Sequence, residues 1–283
     1  MRLNTAPESA TNTIPQLPAV GATSAARSLP LRLGPTSHRP PPMVTAGMRR
    51  YKVRSAAQDA HIGQPGTDAL APTELFGATR PLRLEIGFGH GEFITALAGE
   101  HPDESFIGVE HDPLRVNKTA HKCAKLGLDN VRLFSDEAHG FVRFRLPPAS
   151  VHRVYILFPD PWPKPDHRRR RLMSRSFLLD LARVAAPGCR FMFASDTHNY
   201  ALQVLSNTTT LPGLWRNLYP PSGYRIDIPT RFPTLFETYK KAEGCTIAYV
   251  HLERTTLAAP PELAWASEGN SSRKANLRRE RRA

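Results

Sequence analysis

The stretch that most constrains this chain runs from Val151 to Leu172 and reads VHRVYILFPDPWPKPDHRRRRL. Its first part, Val154-Tyr155-Ile156-Leu157-Phe158, is apolar and β-rich, the pattern of a strand buried on both faces of a parallel sheet. Pro159, Pro161 and Pro163 then remove backbone donors and favour an extended course, so the sheet cannot continue. The prolines make a stiff loop that carries Asp160, Trp162 and Lys164 at the carboxyl end of a core strand. Open α/β sheets bind their ligands there. Arg168, Arg169, Arg170 and Arg171 come next. An acid, an aromatic face and a cationic run point together to a site acting on a base within a polyanion.

The rest of the chain alternates around this stretch. Leu82 to Ile86 reads as a strand ending in Gly87-Phe88-Gly89-His90-Gly91, with a helix from Glu92 to Ala98. Phe106 to Glu110 is a second strand, and Val116 to Leu126 a helix closed by Gly127 in C-cap position. Val131 to Phe134 is a third strand, ending at Ser135-Asp136. Beyond the arginines, Ser176 to Ala186 reads as an amphipathic helix stopped by Pro187-Gly188. A strand from Arg190 to Ala194, a helix from Tyr200 to Leu205 and a late strand from Thr246 to Leu252 complete the series. Strands and helices at this spacing predict an α/β fold, a doubly wound, mostly parallel sheet of Rossmann-like type over residues 72–257.

Two extensions flank that domain. Residues 1–71 are rich in Pro, Ala, Ser, Thr and Gly and show no face to bury, so they read as disordered. Within the first fifty residues Arg2, Arg27, Arg32, Arg39, Arg49 and Arg50 stand against the single acid Glu8. An organelle transit peptide has that composition; an unstructured extension, or an upstream start with Met48 as the first residue, fits the same letters. Residues 258–283 turn polar and then basic, and also read as disordered. The 283 residues carry a formal net charge of +13, which favours nucleic acid or another polyanion through steering and counterion release. Cys123, Cys189 and Cys245 form no CxxC pair, so a reduced, cytoplasmic setting is expected rather than a disulfide frame or zinc site. No apolar run approaches the ~18 residues of a membrane span.

The glycine loop and the acid that ends the second strand are the parts of a nucleotide-binding βαβ unit. Glu110 sits where a carboxylate can accept from both ribose hydroxyls. NAD fits less well, because its fingerprint spaces the glycines as G-x-G-x-x-G and here Gly91 comes one residue early. Glu85, ahead of the first glycine, would repel a pyrophosphate but suits the ammonium or sulfonium of S-adenosylmethionine. Asp136 is placed to accept from an adenine amino group; a surface ion pair or helix N-cap is the plain alternative for both acids.

From about Leu75 to Arg254 the chain resembles the bacterial tRNA (guanine-N7-)-methyltransferases. The resemblance is carried by LEIGFGHGEF, GVEHDP, SDEA, FPDPWPK with HRRRRL, ASD followed by Tyr200-Ala201, and Thr234-Leu235-Phe236-Glu237. It implies S-adenosyl-L-methionine held through Glu85, the loop of Gly87, Gly89 and Gly91, Glu110, Asp136 and Asp160. It implies tRNA contacts from Lys164, Asp196, Thr234, Leu235, Phe236 and Glu237, and methylation of the guanine at position 46 in the variable loop. The chain departs from the family at Pro165-Asp166, where further basic residues are usual.

N7 of guanine has an exposed lone pair and no proton, so its methylation needs alignment and charge stabilisation rather than a base. Asp160 is the expected catalytic carboxylate, Trp162 a stacking surface or a core-filling ring, and Lys164 with Arg168 to Arg171 the phosphate contacts, a solvated charge run being the alternative. His90, His111, His167 and His198 show no metal-ligand spacing. The rival readings are another methyltransferase or an NAD oxidoreductase on the same fold, and a non-catalytic RNA-binding protein with a cofactor-like pocket.

Overall fold

The computed structural model describes residues 56–63, 66, 68–229 and 232–258, and their elements belong to one structural unit. Two short helices, α1 (Ala56–Asp59) and α2 (Pro72–Phe76), come first. The alternation then runs β1 (Leu82–Ile86), α3 (Glu92–Glu100), β2 (Ser105–Glu110), α4 (Pro113–Leu126), β3 (Val131–Ser135), α5 (Ala138–Arg145) and β4 (Val151–Leu157). After a 3-10 turn at Pro165–Arg170 come α6 (Arg175–Val184), β5 (Ala185–Ser195), α7 (His198–Thr209), β6 (Trp215–Asn217), β7 (Arg225–Ile226), α8 (Leu235–Ala242) and β8 (Ala248–Arg254). The eight strands form one sheet in the order β3-β2-β1-β4-β5-β8-β6, with β7 also on β8. β1 to β5 are parallel, whereas β8 runs antiparallel to β5, β6 and β7. The expected doubly wound, mostly parallel α/β sheet is therefore what forms. Its order reverses between β1 and β4, which opens a crevice above their carboxyl ends.

Burial explains the layering. Val154, Ile156, Phe191, Phe193, Val250 and Leu252 point to one face, where they pack with Phe177, Leu178, Leu181, Tyr200 and Val204 of α6 and α7. On the other face Phe93, Ile94 and Leu97 of α3 and Val116, Ala120 and Cys123 of α4 pack with Phe106 and Leu133 of the β2–β3 side. β4 is not fully buried on both faces, as its apolar run suggested. Val151, Val154 and Ile156 are buried, but Tyr155 and Leu157 are half-buried and His152 is exposed. The helices of this second face stand over β1 to β3 and leave the side of β4 and β5 less covered.

Four other expectations need correcting. Helix α6 ends at Val184, and Pro187-Gly188 lie inside β5, at exposed positions beside an irregularity in the β4–β5 register. A proline outside the ladder hydrogen bonds does not end a strand. The sequence pattern also missed α5, β6 and β7, and of α8 it offers only the start, a capping box at Thr234 and Glu237. Residues 56–63 belong to the folded part: His61 is buried and its Nδ1 lies 3.2 Å from the Val131 carbonyl, and Ile62 bridges Leu133 on the edge strand β3. The disorder expected over residues 1–55 and 259–283 lies outside the described residues. Finally, the strand β4 stops at Leu157, so Phe158 belongs to the loop.

Helix α5 depends on a long-range cap. Arg183, buried on α6, donates to the carbonyls of Val142 (2.8 Å), Arg143 (3.0 Å) and Leu146 (3.1 Å). Carbonyls in the last turn have no intrahelical partner, so the guanidinium satisfies what the helix cannot. Arg183→Met keeps the apolar stem and strands those carbonyls. We expect a loss of roughly 1.5–3 kcal/mol, read from the urea midpoint; an unchanged midpoint would mean that solvent replaces the cap at no cost.

Candidate active site

The crevice at the switch point is a cavity of about 620 Å³. Its walls come from the ends of four strands: Gly87 after β1, Glu110 on β2, Asp136 after β3, and Phe158, Asp160 and Trp162 after β4. The strand ends converge because the parallel register sets Ile86 beside Val109 and Ile156, and Glu110 beside Ser135.

The glycine loop turns tightly, with φ of 74° at Gly87, 57° at Gly89 and 76° at Gly91. A side chain at Gly91 would also collide, since a Cβ there would lie 2.3 Å from Thr119 Cγ2. Glu110 holds the loop in place: its carboxylate accepts from the N–H of Gly89 (2.9 Å) and of Asp112 (3.1 Å). The side chain expected at a ribose thus also braces the loop, and a carboxylate oxygen has lone pairs enough for both tasks.

Glu85 lies beneath this loop, 4% exposed, and its Oε2 has no hydrogen-bond partner among the described residues. Burial, with the charges of Glu92 and Glu110 added, pushes its carboxyl up to about 8. A buried carboxyl with an unsatisfied oxygen beside two further acids is a site short of positive charge. An ammonium or sulfonium supplies it; a pyrophosphate would add to the repulsion. Asp136 accepts from the Glu137 N–H (2.8 Å), lies 3.7 Å from Arg145 and remains one-third exposed on the cavity wall.

The loop after β4 is stiff, but not by extension. Phe158 and Trp162 adopt positive φ, 55° and 39°, which L residues avoid at a cost of ~1–3 kcal/mol each. Ring contacts hold them: Phe158 lies 5.1 Å from Phe236 of α8, and Trp162 is flanked by Arg170 (5.0 Å) and His167 (5.7 Å). Asp160, exposed, stands between them in the chain and lines the cavity. Trp162 is half-buried on the cavity wall, so it is not a core-filling ring.

The four arginines divide. Arg168, Arg169 and Arg170 are exposed, as is Lys164. Arg171 is buried: it donates to the Pro161 carbonyl (2.6 Å) and to Gln203 Oε1 (2.5 Å) and lies over the Tyr200 ring at 4.8 Å. This corrects the expectation of a phosphate contact there; Arg171 fastens the proline loop to α7. The elements after β5 close the other side. The Phe158 N–H bonds the Ala194 carbonyl (2.8 Å), which joins the start of the proline loop to the end of β5. Just beyond that end, Asp196 lies 3.9 Å from Lys240. Thr234 is the N-cap of α8, accepting from the Glu237 N–H at 3.0 Å, while Leu235 and Phe236 are exposed. Glu237, expected to touch substrate, is buried and accepts from the Tyr249 hydroxyl and Lys241, both at 2.6 Å. Its carboxylate holds α8 on β8.

Sequence reasoning missed Lys240, Tyr249 and Gln203 in this arrangement. It also missed His139, whose Nε2 lies 2.8 Å from the buried Asp180 at the cavity edge. These pairs join residues that are far apart along the chain, so no local pattern marks them.

A cation-seeking cofactor cavity on a doubly wound sheet, with an acid on a strained loop above it, defines a group-transfer enzyme of methyltransferase type. Residues 79–238 match a family model described as "Putative methyltransferase". A tRNA (guanine-N(7)-)-methyltransferase of Geobacter metallireducens is 35% identical over 185 residues, 65% of this chain and 87% of the relative. One of Hydrogenovibrio crunogenus is 38% identical, covering 58% of this chain and 68% of the relative. One of Rubrobacter xylanophilus is 31% identical, covering 73% and 92%. The chain belongs to the tRNA (guanine-N7-)-methyltransferase family.

Glu85 gives the site a pH signature. Its folded value stands above the unfolded one, so its stabilising contribution is full below about pH 4.5 and is lost as pH rises through about 8. The ligand-free protein should lose stability across that window, and Glu85→Gln should flatten the loss in a melting-temperature series. Equal slopes in the two proteins would show that Glu85 ionises freely.

Proposed function

We propose that this chain transfers a methyl group from S-adenosyl-L-methionine to N7 of a guanine in tRNA, the guanine at position 46 of the variable loop. The observation that carries the reading is the buried carboxyl of Glu85, whose Oε2 has no hydrogen-bond partner among the described residues, two residues before Gly87, which lines the same crevice as Asp160. Family membership supports the tRNA substrate. When bound, the cofactor supplies an electrophilic methyl group. Glu85 would hold its positive end, Glu110 its ribose hydroxyls, and Asp136 its adenine amino group.

The substrate side follows from the nucleophile. N7 carries no proton, so no residue has to act as a base. The guanine ring gains positive charge as it is methylated, and Asp160 stabilises that charge from a loop fixed before substrate arrives. Trp162 offers a stacking face worth ~1–3 kcal/mol per base. Asp196, Thr234, Leu235 and Phe236 form the opposite wall, with Glu237 setting α8 in position. Lys164 and Arg168 to Arg170 hold flanking phosphates, which orients the RNA without reading its sequence. The site of action is the cytoplasm; three free cysteines support this. No helix among the described residues is long and apolar enough to cross a membrane.

Nucleoside mass spectrometry on tRNA incubated with enzyme and cofactor should show 7-methylguanosine. Asp160→Asn should lose most of kcat, by about 100-fold or more if the carboxylate acts as a fixed electrostatic group, at saturating cofactor. Full turnover in that variant removes Asp160 from the chemistry. Methylation at another atom or base refutes the proposed reaction.

A further inference from the structure

One row of charged side chains crosses the sheet well away from the cavity. In register, Arg83 of β1 stands beside Arg153 of β4, Arg153 beside Arg190 of β5, Arg190 beside Glu253 of β8, and Glu253 beside Arg216 of β6. Residues paired in register project from the same face. It is the face opposite α6 and α7, because the alternating neighbours Val154, Phe191 and Leu252 pack into that core. Arg83 is buried and paired with Glu104. Arg190 and Arg216 leave 62% and 64% of their side chains exposed.

The row has a second layer. Glu253 lies between two arginines, 2.5 Å from Arg216 and 3.7 Å from Arg190. His251, two residues earlier on the same face, hydrogen-bonds and stacks with Tyr219. Arg225 lies over the other side of that ring at 4.7 Å and is exposed. Burial, with Arg190 and Arg225 nearby, lowers His251 to about 4, so this histidine adds no charge at neutral pH. Arg153, Arg190 and Arg216 thus act on the carboxylate of Glu253, while Arg225 lies over the half-buried Tyr219 beside them. At Arg190 and Arg216 this sheet face is exposed among the described residues, and it is cationic.

We infer that this face binds the sugar–phosphate backbone of the RNA substrate at a distance from the transferred base. Charge decides the occupant. Both segments of the chain beyond the described residues are basic by sequence, with Arg27, Arg32, Arg49, Arg50 and Arg54 on one side and Arg273, Arg278, Arg279, Arg281 and Arg282 on the other. Like charge disfavours these segments, and the same face of a second copy, as occupants of the arginine row. A polyanion is attracted, and guanidinium forks suit phosphate oxygens. Arg153 lies four residues before the end of β4, about 13 Å along the strand at ~3.3 Å per residue. Roughly four stacked nucleotides at ~3.4 Å each cover that length, so backbone flanking the target base can reach the row.

The inference rests on tRNA being the substrate, and the test separates the two. tRNA affinity is measured over a salt series with the full chain, alongside steady-state methylation. Arg190→Ala with Arg216→Ala should weaken binding about tenfold and make the salt slope shallower by ~0.7–0.9 for each phosphate no longer neutralised. KM for tRNA should rise while kcat and cofactor affinity stay unchanged. The double lysine variant should recover most of the salt slope, and Glu253→Gln should tighten binding. Unaltered affinity and slope in the double alanine variant, with methylation normal, overturn the surface alone. Failure of the unmodified protein to bind tRNA overturns both readings.

Discussion

A carboxyl that cannot reach water governs this active site. Glu85 is buried on the central strand β1, two residues before the glycine loop, with Glu92 and Glu110 close enough to help raise it to about 8. No backbone donor or basic side chain among the described residues satisfies its Oε2. The geometry around it is rigid for reasons unrelated to that acid. Glu110 is tied to the N–H groups of Gly89 and Asp112, and Gly91 is pressed against Thr119. The repulsion can therefore be relieved in only two ways, by a proton or by a cationic ligand. Leaving a buried polar group unmatched is expensive, which makes the cavity selective for a ligand that brings positive charge.

Across the crevice the constraint is steric. Phe158 and Trp162 are held at positive φ by their ring partners, and Arg171 ties the intervening Pro161 carbonyl to α7. Asp160 is the acid left projecting from that arrangement. One side of the site thus stores electrostatic strain and the other backbone strain. Both are supported by buried side chains tied to neighbouring elements, Arg171 and Glu237 among them.

The first half of the fold was legible because its signals are local. From β1 to β3, apolar runs of strand length are punctuated by glycines and acids, and Gly127 caps α4 where expected, although Asp112 and Pro113 start that helix ahead of the expected Val116. Helix α5 was hidden: AHGFVRFR has a glycine near its start and a buried arginine, and its ends are completed by Glu137 and the distant Arg183. Pro187-Gly188 looked like a stop and proved to be a bulged stretch inside a strand. Asp160, Glu85 and Glu110 were readable as candidate site residues from their places after or at the ends of strands. The arginine run shows the limit. Four identical letters gave no hint that the fourth would be buried against Tyr200 and Gln203 while the first three face solvent. That difference is made by α7, an element well beyond the run itself.

The most direct measurement is the proton balance of cofactor binding. With Glu85 near 8, the ligand-free carboxyl is mostly protonated at pH 7, and a cation seated against it favours the ionised form. Titration calorimetry of S-adenosylmethionine in buffers of different ionisation enthalpy should therefore show release of roughly one proton per cofactor at pH 7, and close to none in Glu85→Gln. Binding by the unmodified protein without proton release would contradict the assignment of Glu85 as the partner of the cofactor's positive charge.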